Sequence, residues 1–130
     1  MPTSTPDGDA AVPGDGARDH VLLFTIEGRE FAVRVDTVIE IMRHRAPTRV
    51  PGTAPAVEGI IPVRGQMVTL LDLRRCLALP PRPSGEAAQV IVVRSADDRL
   101  GLVVDRVSGV APRSNQVAPL DIAALLRGMS

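Results

Sequence analysis

At 130 residues and 13.8 kDa the chain has the size of one domain, with room for a core that removes roughly two-thirds of its unfolded surface from water. Fifteen basic and fifteen acidic side chains cancel, the pI is near 6.7, and only two residues are aromatic, which excludes the basic, aromatic-interleaved surface of a nucleic-acid binder. A single cysteine, Cys76, excludes an internal disulfide, and no apolar run approaches the ~20 residues needed to cross a bilayer.

Residues 1–19 are rich in Pro, Gly, Asp, Ala and Thr with almost no bulky apolar side chain, and so predict a flexible leader ahead of a domain over 20–130. The leader carries neither a basic n-region nor an apolar h-region, which predicts a cytoplasmic, soluble protein. With Phe24 and Phe31 as the only aromatics, Val, Ile and Leu must build the core, and the β-branched ones among them suit strands. HVLLFTI and REFAVRV read as a hairpin across Glu27-Gly28-Arg29, with Phe31, Val33 and Val35 on one face and Ala32 and Arg34 on the other.

Asp36 is placed to N-cap one short helical turn, after which a strand is expected from near Glu40. TAPAVEG predicts a short helix ending at Gly59, the usual left-handed residue after a helix. GIIPV and QMVTLLDL pair across Arg64-Gly65, and Pro62 marks an edge or a bulge because proline cannot donate to a ladder. DLRRCLALPPRPSGEAA predicts a short helix and then a polar linker. QVIVVRS and RLGLVVD form a third hairpin, RVSGVAP extends from it, and Ile122, Leu125 and Leu126 recur at helical spacing. The fold class predicted is all-β with short helices.

Catalytic and metal chemistry find little support. His20, His44 and Cys76 lie in separate elements without zinc-ligand spacing, so no metal and no cofactor are expected. DGDAAVPGDG resembles a calcium loop only superficially, because Arg18 falls where the bidentate Glu should be. The best enzyme reading pairs Asp72 with Asp105, as in an aspartic hydrolase, but such a dyad needs Thr/Ser and Gly directly after each Asp, and the chain has DLR and DRV. Strand-end caps fit those two residues better, and Cys76, with no partnering base evident, reads as a small buried apolar residue.

What stands out is two charges among apolar neighbours, Glu40 inside VIEIM and Arg64 in PVRGQ. An Arg in a turn is ordinarily a solvated turn residue; the functional reading is an interface anchor, since arginine buries an apolar stem while its fork makes charge-assisted bonds.

The series LLFTIEGREFAVRVDTVIEI, TRVPGTAPAVEGIIPVRGQMVTLLDLR and VIVVRSADDRLGLVVDRVSGV resembles, in order, the CheW-like domain of bacterial chemosensory adaptors and of their kinases' regulatory regions. The resemblance implies two small SH3-like barrels packed together, and a non-enzymatic adaptor that works in the cytoplasm at receptor arrays. Its implied partners are the cytoplasmic tip of methyl-accepting chemoreceptors and the regulatory domain of a CheA-type histidine kinase. By position Val38, Glu40, Gly59, Arg64 and Gly65 match the family's receptor-contacting groove between the barrels. The family usually has Asn-Leu before Arg-Gly, where this chain has Pro62-Val63, which is expected to shift the groove wall. The family also continues beyond the position matching Ser130, so the first barrel is expected to be incomplete and kinase binding weakened. A divergent member that binds receptors but not the kinase is the alternative.

Overall fold

The structure, a computed structural model, describes residues 20–114 and 117–127; the expected leader lies outside them. Among the described residues eight strands form two sheets. Strands β1 (His20–Ile26), β2 (Arg29–Arg34) and β8 (Arg106–Pro112) make a three-stranded sheet in the order β2-β1-β8. Strands β3 (Val38–Arg43), β4 (Val57–Val63), β5 (Gln66–Asp72), β6 (Gln89–Ser95) and β7 (Asp98–Val104) make a five-stranded sheet in the order β3-β6-β7-β5-β4. Two short helices follow β5 and β8, α1 (Leu73–Cys76) and α2 (Ile122–Arg127).

The runs that carry no alternation, QVIVVRS and RLGLVVD, are strands buried on both faces. Successive side chains of a strand point opposite ways, so Val90, Val92, Val103 and Leu70 fill the interior of the five-stranded unit. Their neighbours Ile91, Val93, Leu102 and Leu71 point outward and meet Leu22, Phe24, Ile26 and Val33 from the three-stranded sheet. Phe24 and Phe31 stack there with ring centroids 6.0 Å apart. A one-residue slip in β6 or β7 would exchange two cores at once, which pins the register.

The five-stranded sheet closes on itself. Thr48 N donates to Ile60 O and Ile60 N to Thr48 O, both at 2.9 Å, so the segment after β3 joins β4, the strand at the far edge. This closure gives the small SH3-like barrel expected, and the three-stranded sheet is the smaller second unit. Its β2 edge is covered by the segment before α2, where Leu120 N donates to Ala32 O at 2.8 Å; Ala32 is therefore fully buried rather than on an open face. Ile122, Leu125 and Leu126 of α2 pack against the core between the units. The outer edge of β8 has no strand partner among the described residues, and Gly109 and Pro112 within it blunt that edge.

Two local expectations are corrected. Asp36 lies inside the 3-10 turn Val35–Thr37 instead of capping it; the cap position is Arg34, and Asp36 turns back to pair with the Arg34 guanidinium at 2.7 Å. TAPAVEG forms no helix: a turn leads straight into β4, and Gly59 sits at a β-bulge with φ +147°. A Cβ at Gly59 would collide with the Thr48 carbonyl, so the glycine is what lets the closing segment approach. Gly59→Ala is expected to destabilise the domain by about 2–3 kcal/mol. Urea unfolding reads this as a lower midpoint at unchanged slope, and an unchanged midpoint would show that the seam relaxes freely.

Candidate functional site

The hairpin β4–β5 turns through two residues, and both have positive φ, +51° at Arg64 and +80° at Gly65. That is the primed turn whose twist suits a hairpin, and its first central position favours Asn, Asp or Gly. A residue with a Cβ is mildly strained there, as Glu27 and Ala96 are at the first positions of the other two hairpin turns, with φ +52° and +54°. Arg64 Nε donates to Glu40 Oε1 at 2.7 Å, and the hydrogen bond and the charge of Glu40 push the Arg64 guanidinium above its ordinary value.

Glu40 is held by β3, beside a bulge between Val38 and Glu40 in the pairing with β6. The ion pair thus spans the mouth of the barrel seam, from β3 on one edge to the β4–β5 turn at the other. Arg64 is 76% exposed and Glu40 25%. A pair so solvated contributes little stability. Beneath it runs an open groove of about 390 Å³ lined by Glu40, Met42, Arg45, Pro62, Val63 and Arg64. Met67 pairs with Pro62 in register, and both are exposed, so an apolar rim flanks the charges.

The structure brings Glu40, Arg64 and Gly65 together. It does not bring Gly59 to them: that residue is buried five positions before Arg64 in β4, next to the Ile60 bridge to Thr48. Val38 begins β3 but packs against the core between the two units. Sequence reading missed two seam contacts, Arg45 Nη2 donating to Pro62 O at 2.8 Å and His44 Nε2 at 2.8 Å from Glu58 Oε1. Pro62 could have signalled the first, because a proline leaves a gap in the edge ladder while its carbonyl stays available.

Arg64→Asn is expected to raise the melting midpoint by ~2–5 °C, since Asn tolerates the left-handed conformation. The same change removes the ion pair. A lower midpoint would mean that the Glu40 contact outweighs the strain.

The two aspartates considered for catalysis are both engaged. Asp72 N-caps α1, its Oδ1 accepting from Arg74 N at 3.0 Å. Asp105 receives a two-pronged contact from Arg74, Nη2 to Oδ2 at 2.6 Å and Nε to Oδ1 at 3.2 Å, and its Oδ2 also accepts from Glu27 N at 2.8 Å. Burial pushes the Asp105 carboxyl up, but the hydrogen bonds from Arg74 and Glu27 N and the charges of Arg74 and Arg82 outweigh it and hold it below the usual carboxylate range. Arg74, only 7% exposed, also reaches Glu27 Oε2 at 3.1 Å and Pro80 O at 2.9 Å. Burial, then the nearby Asp72 carboxylate, pushes the Cys76 thiol up, which makes it a poor nucleophile. Among the described residues no three His, Cys, Asp or Glu side chains gather to hold a metal ion, and no helix is long and apolar enough to cross a membrane.

The family model of the CheW-like domain matches residues 20–128. The chain is similar to the chemotaxis protein CheW of Bacillus subtilis, 33% identical over 71% of this chain, and to the protein PilI of Pseudomonas aeruginosa, 32% identical over 77% of it. It is likewise similar to the chemotaxis protein CheW of Thermotoga maritima, 32% identical over 69% of this chain. The chain spans 59% of the length of each of these curated relatives. Among solved structures, the scaffolding protein TtCheW from Thermoanaerobacter tengcongensis superposes with a TM-score of 0.69 at 24% identity, over 76% of this chain and 68% of that one.

Proposed function

Because the chain belongs to the CheW-like domain family, we propose that it is a non-enzymatic adaptor coupling chemoreceptors to a histidine kinase in chemosensory signalling. The observation that carries this reading is the Glu40–Arg64 pair: a solvated ion pair with little value to stability, set over an open groove with an apolar rim. Such a surface suits an amphipathic helical hairpin, which would lay apolar side chains along Pro62 and Met67 and exchange hydrogen bonds with the two charges. Glu40, Arg64 and Gly65 form the contact face, Val38 sets the start of β3, and Gly59 acts through the seam that holds the groove walls together. The partners are the cytoplasmic tip of a methyl-accepting chemoreceptor and the regulatory domain of a CheA-type kinase, and the place of action is the cytoplasmic side of receptor arrays. No cofactor takes part.

Calorimetric titration with a soluble receptor-tip hairpin, and separately with the kinase regulatory domain, tests the proposal. Saturable binding to both supports coupling. Binding to the receptor tip alone favours the receptor-only alternative, and binding to neither overturns the reading.

A further inference from the structure

The groove beneath the Glu40–Arg64 pair is not electrically neutral. Arg43 at the end of β3 and Arg45 just beyond it also line it, and among the described residues Glu40 is the only acid that does. Glu40 is taken by Arg64 at 2.7 Å, so those two charges offset each other. Glu58 of β4 is held by His44 at 2.8 Å and does not line the groove. Among the described residues neither Arg43 nor Arg45 has an acidic partner. These two guanidinium groups therefore leave a local positive field, although the basic and acidic side chains of the whole chain cancel at 15 each.

Arg45 is held ready for a partner. Its Nη2 donates to Pro62 O at 2.8 Å, which fixes the planar fork against β4 and sets the charge directly beside the apolar rim of Pro62 and Met67. A guanidinium has about five N–H donors, and those that Pro62 leaves unused can meet a carboxylate at little further loss of side-chain freedom. Both arginines are exposed. An apolar strip with a positive margin fits a helix whose apolar face is edged with carboxylates.

We propose that Arg43 and Arg45 select an acidic partner: the receptor-tip helix that lies in this groove carries Asp or Glu side chains along the margin of its apolar face. The inference rests on the adaptor reading for the identity of the partner, and adds the charge that the partner presents. Neither arginine is among the five positions that the family resemblance assigns to receptor contact.

Stopped-flow association of the chain with a soluble receptor-tip hairpin tests it. The on-rate is expected to fall by about tenfold between low salt and about 0.5 M NaCl, where the Debye length shrinks to a few ångströms. In the Arg43→Gln/Arg45→Gln variant the low-salt rate should drop to near the high-salt value and lose its salt dependence. The Arg43→Lys/Arg45→Lys variant keeps both charges and should keep the salt dependence, and an unchanged amide spectrum over β1–β8 verifies the fold of each variant. Replacing the carboxylates on the hairpin's apolar margin by their amides should reproduce the effect of the Gln variant. Binding whose rate ignores salt and both arginines would overturn the proposal and leave the adaptor reading standing, and faster association in the Gln variant would overturn it by showing a basic partner. No binding of the hairpin at all would overturn the adaptor reading and the proposal with it.

Discussion

Arg74→Ala is expected to destabilise the domain by about 2–4 kcal/mol, the largest loss of any single charged residue described. The guanidinium joins three places that share no neighbouring sequence: the β1–β2 turn through Glu27, the β7–β8 corner through Asp105, and the end of the α1 segment through Pro80 O. Its removal leaves two carboxylates facing a cavity. Because Asp105 is 25% exposed and Glu27 40%, water recovers part of the cost, which keeps the figure below that of a fully buried pair. The acid side follows from the direction of the Asp105 shift. A carboxyl held below its unfolded value contributes stability that is full above pH ~4 and is lost as pH falls through the folded value. Without Arg74 this acid-labile contribution is absent, so the stability gap between wild type and variant should be widest above pH ~4 and should narrow as pH falls. A melting curve and acid-unfolding midpoint identical to those of the wild type would show that the guanidinium is solvated in solution.

Arg64→Glu has the second largest expected effect, and it is on binding. Like charges then face each other across the seam, and receptor-tip affinity should fall by at least about tenfold. The melting midpoint should move little, because the lost pair is exposed. The double change Glu40→Arg with Arg64→Glu restores attraction within the chain but reverses the polarity shown to the partner. Affinity should therefore stay low in the double variant. Full recovery would mean that the pair only holds the seam together and that the partner does not read its direction.

Hairpins were the most legible part of the sequence, because each is announced by a turn between apolar runs: the turns expected at 27–29, 64–65 and 96–98 contain the reversals at Glu27-Gly28, Arg64-Gly65 and Ala96-Asp97, with Arg29 and Asp98 already in strands. The helix expected at TAPAVEG failed because a glycine after a short apolar run has two uses, helix termination and close backbone approach. The Thr48 carbonyl that decides between them lies eleven residues away. Asp36 misled in a related way, since a nearby guanidinium competed with the backbone for its carboxylate. The Glu40–Arg64 face was visible as two charges in apolar surroundings, although their direct contact, 24 residues apart, was not. Arg74 was hidden altogether. Its partners lie 31 and 47 residues away, and nothing local separates a buried Arg in DLRR from the exposed Arg75 beside it.

Coupling itself is measured most directly by kinase autophosphorylation on receptor-bearing membranes, with this chain added in increasing amount. The account predicts that kinase turnover rises with added chain, saturates, and becomes responsive to receptor ligand, and that Arg64→Glu abolishes the rise. Kinase turnover indifferent to the chain, while the receptor tip still binds it, would contradict the coupling role.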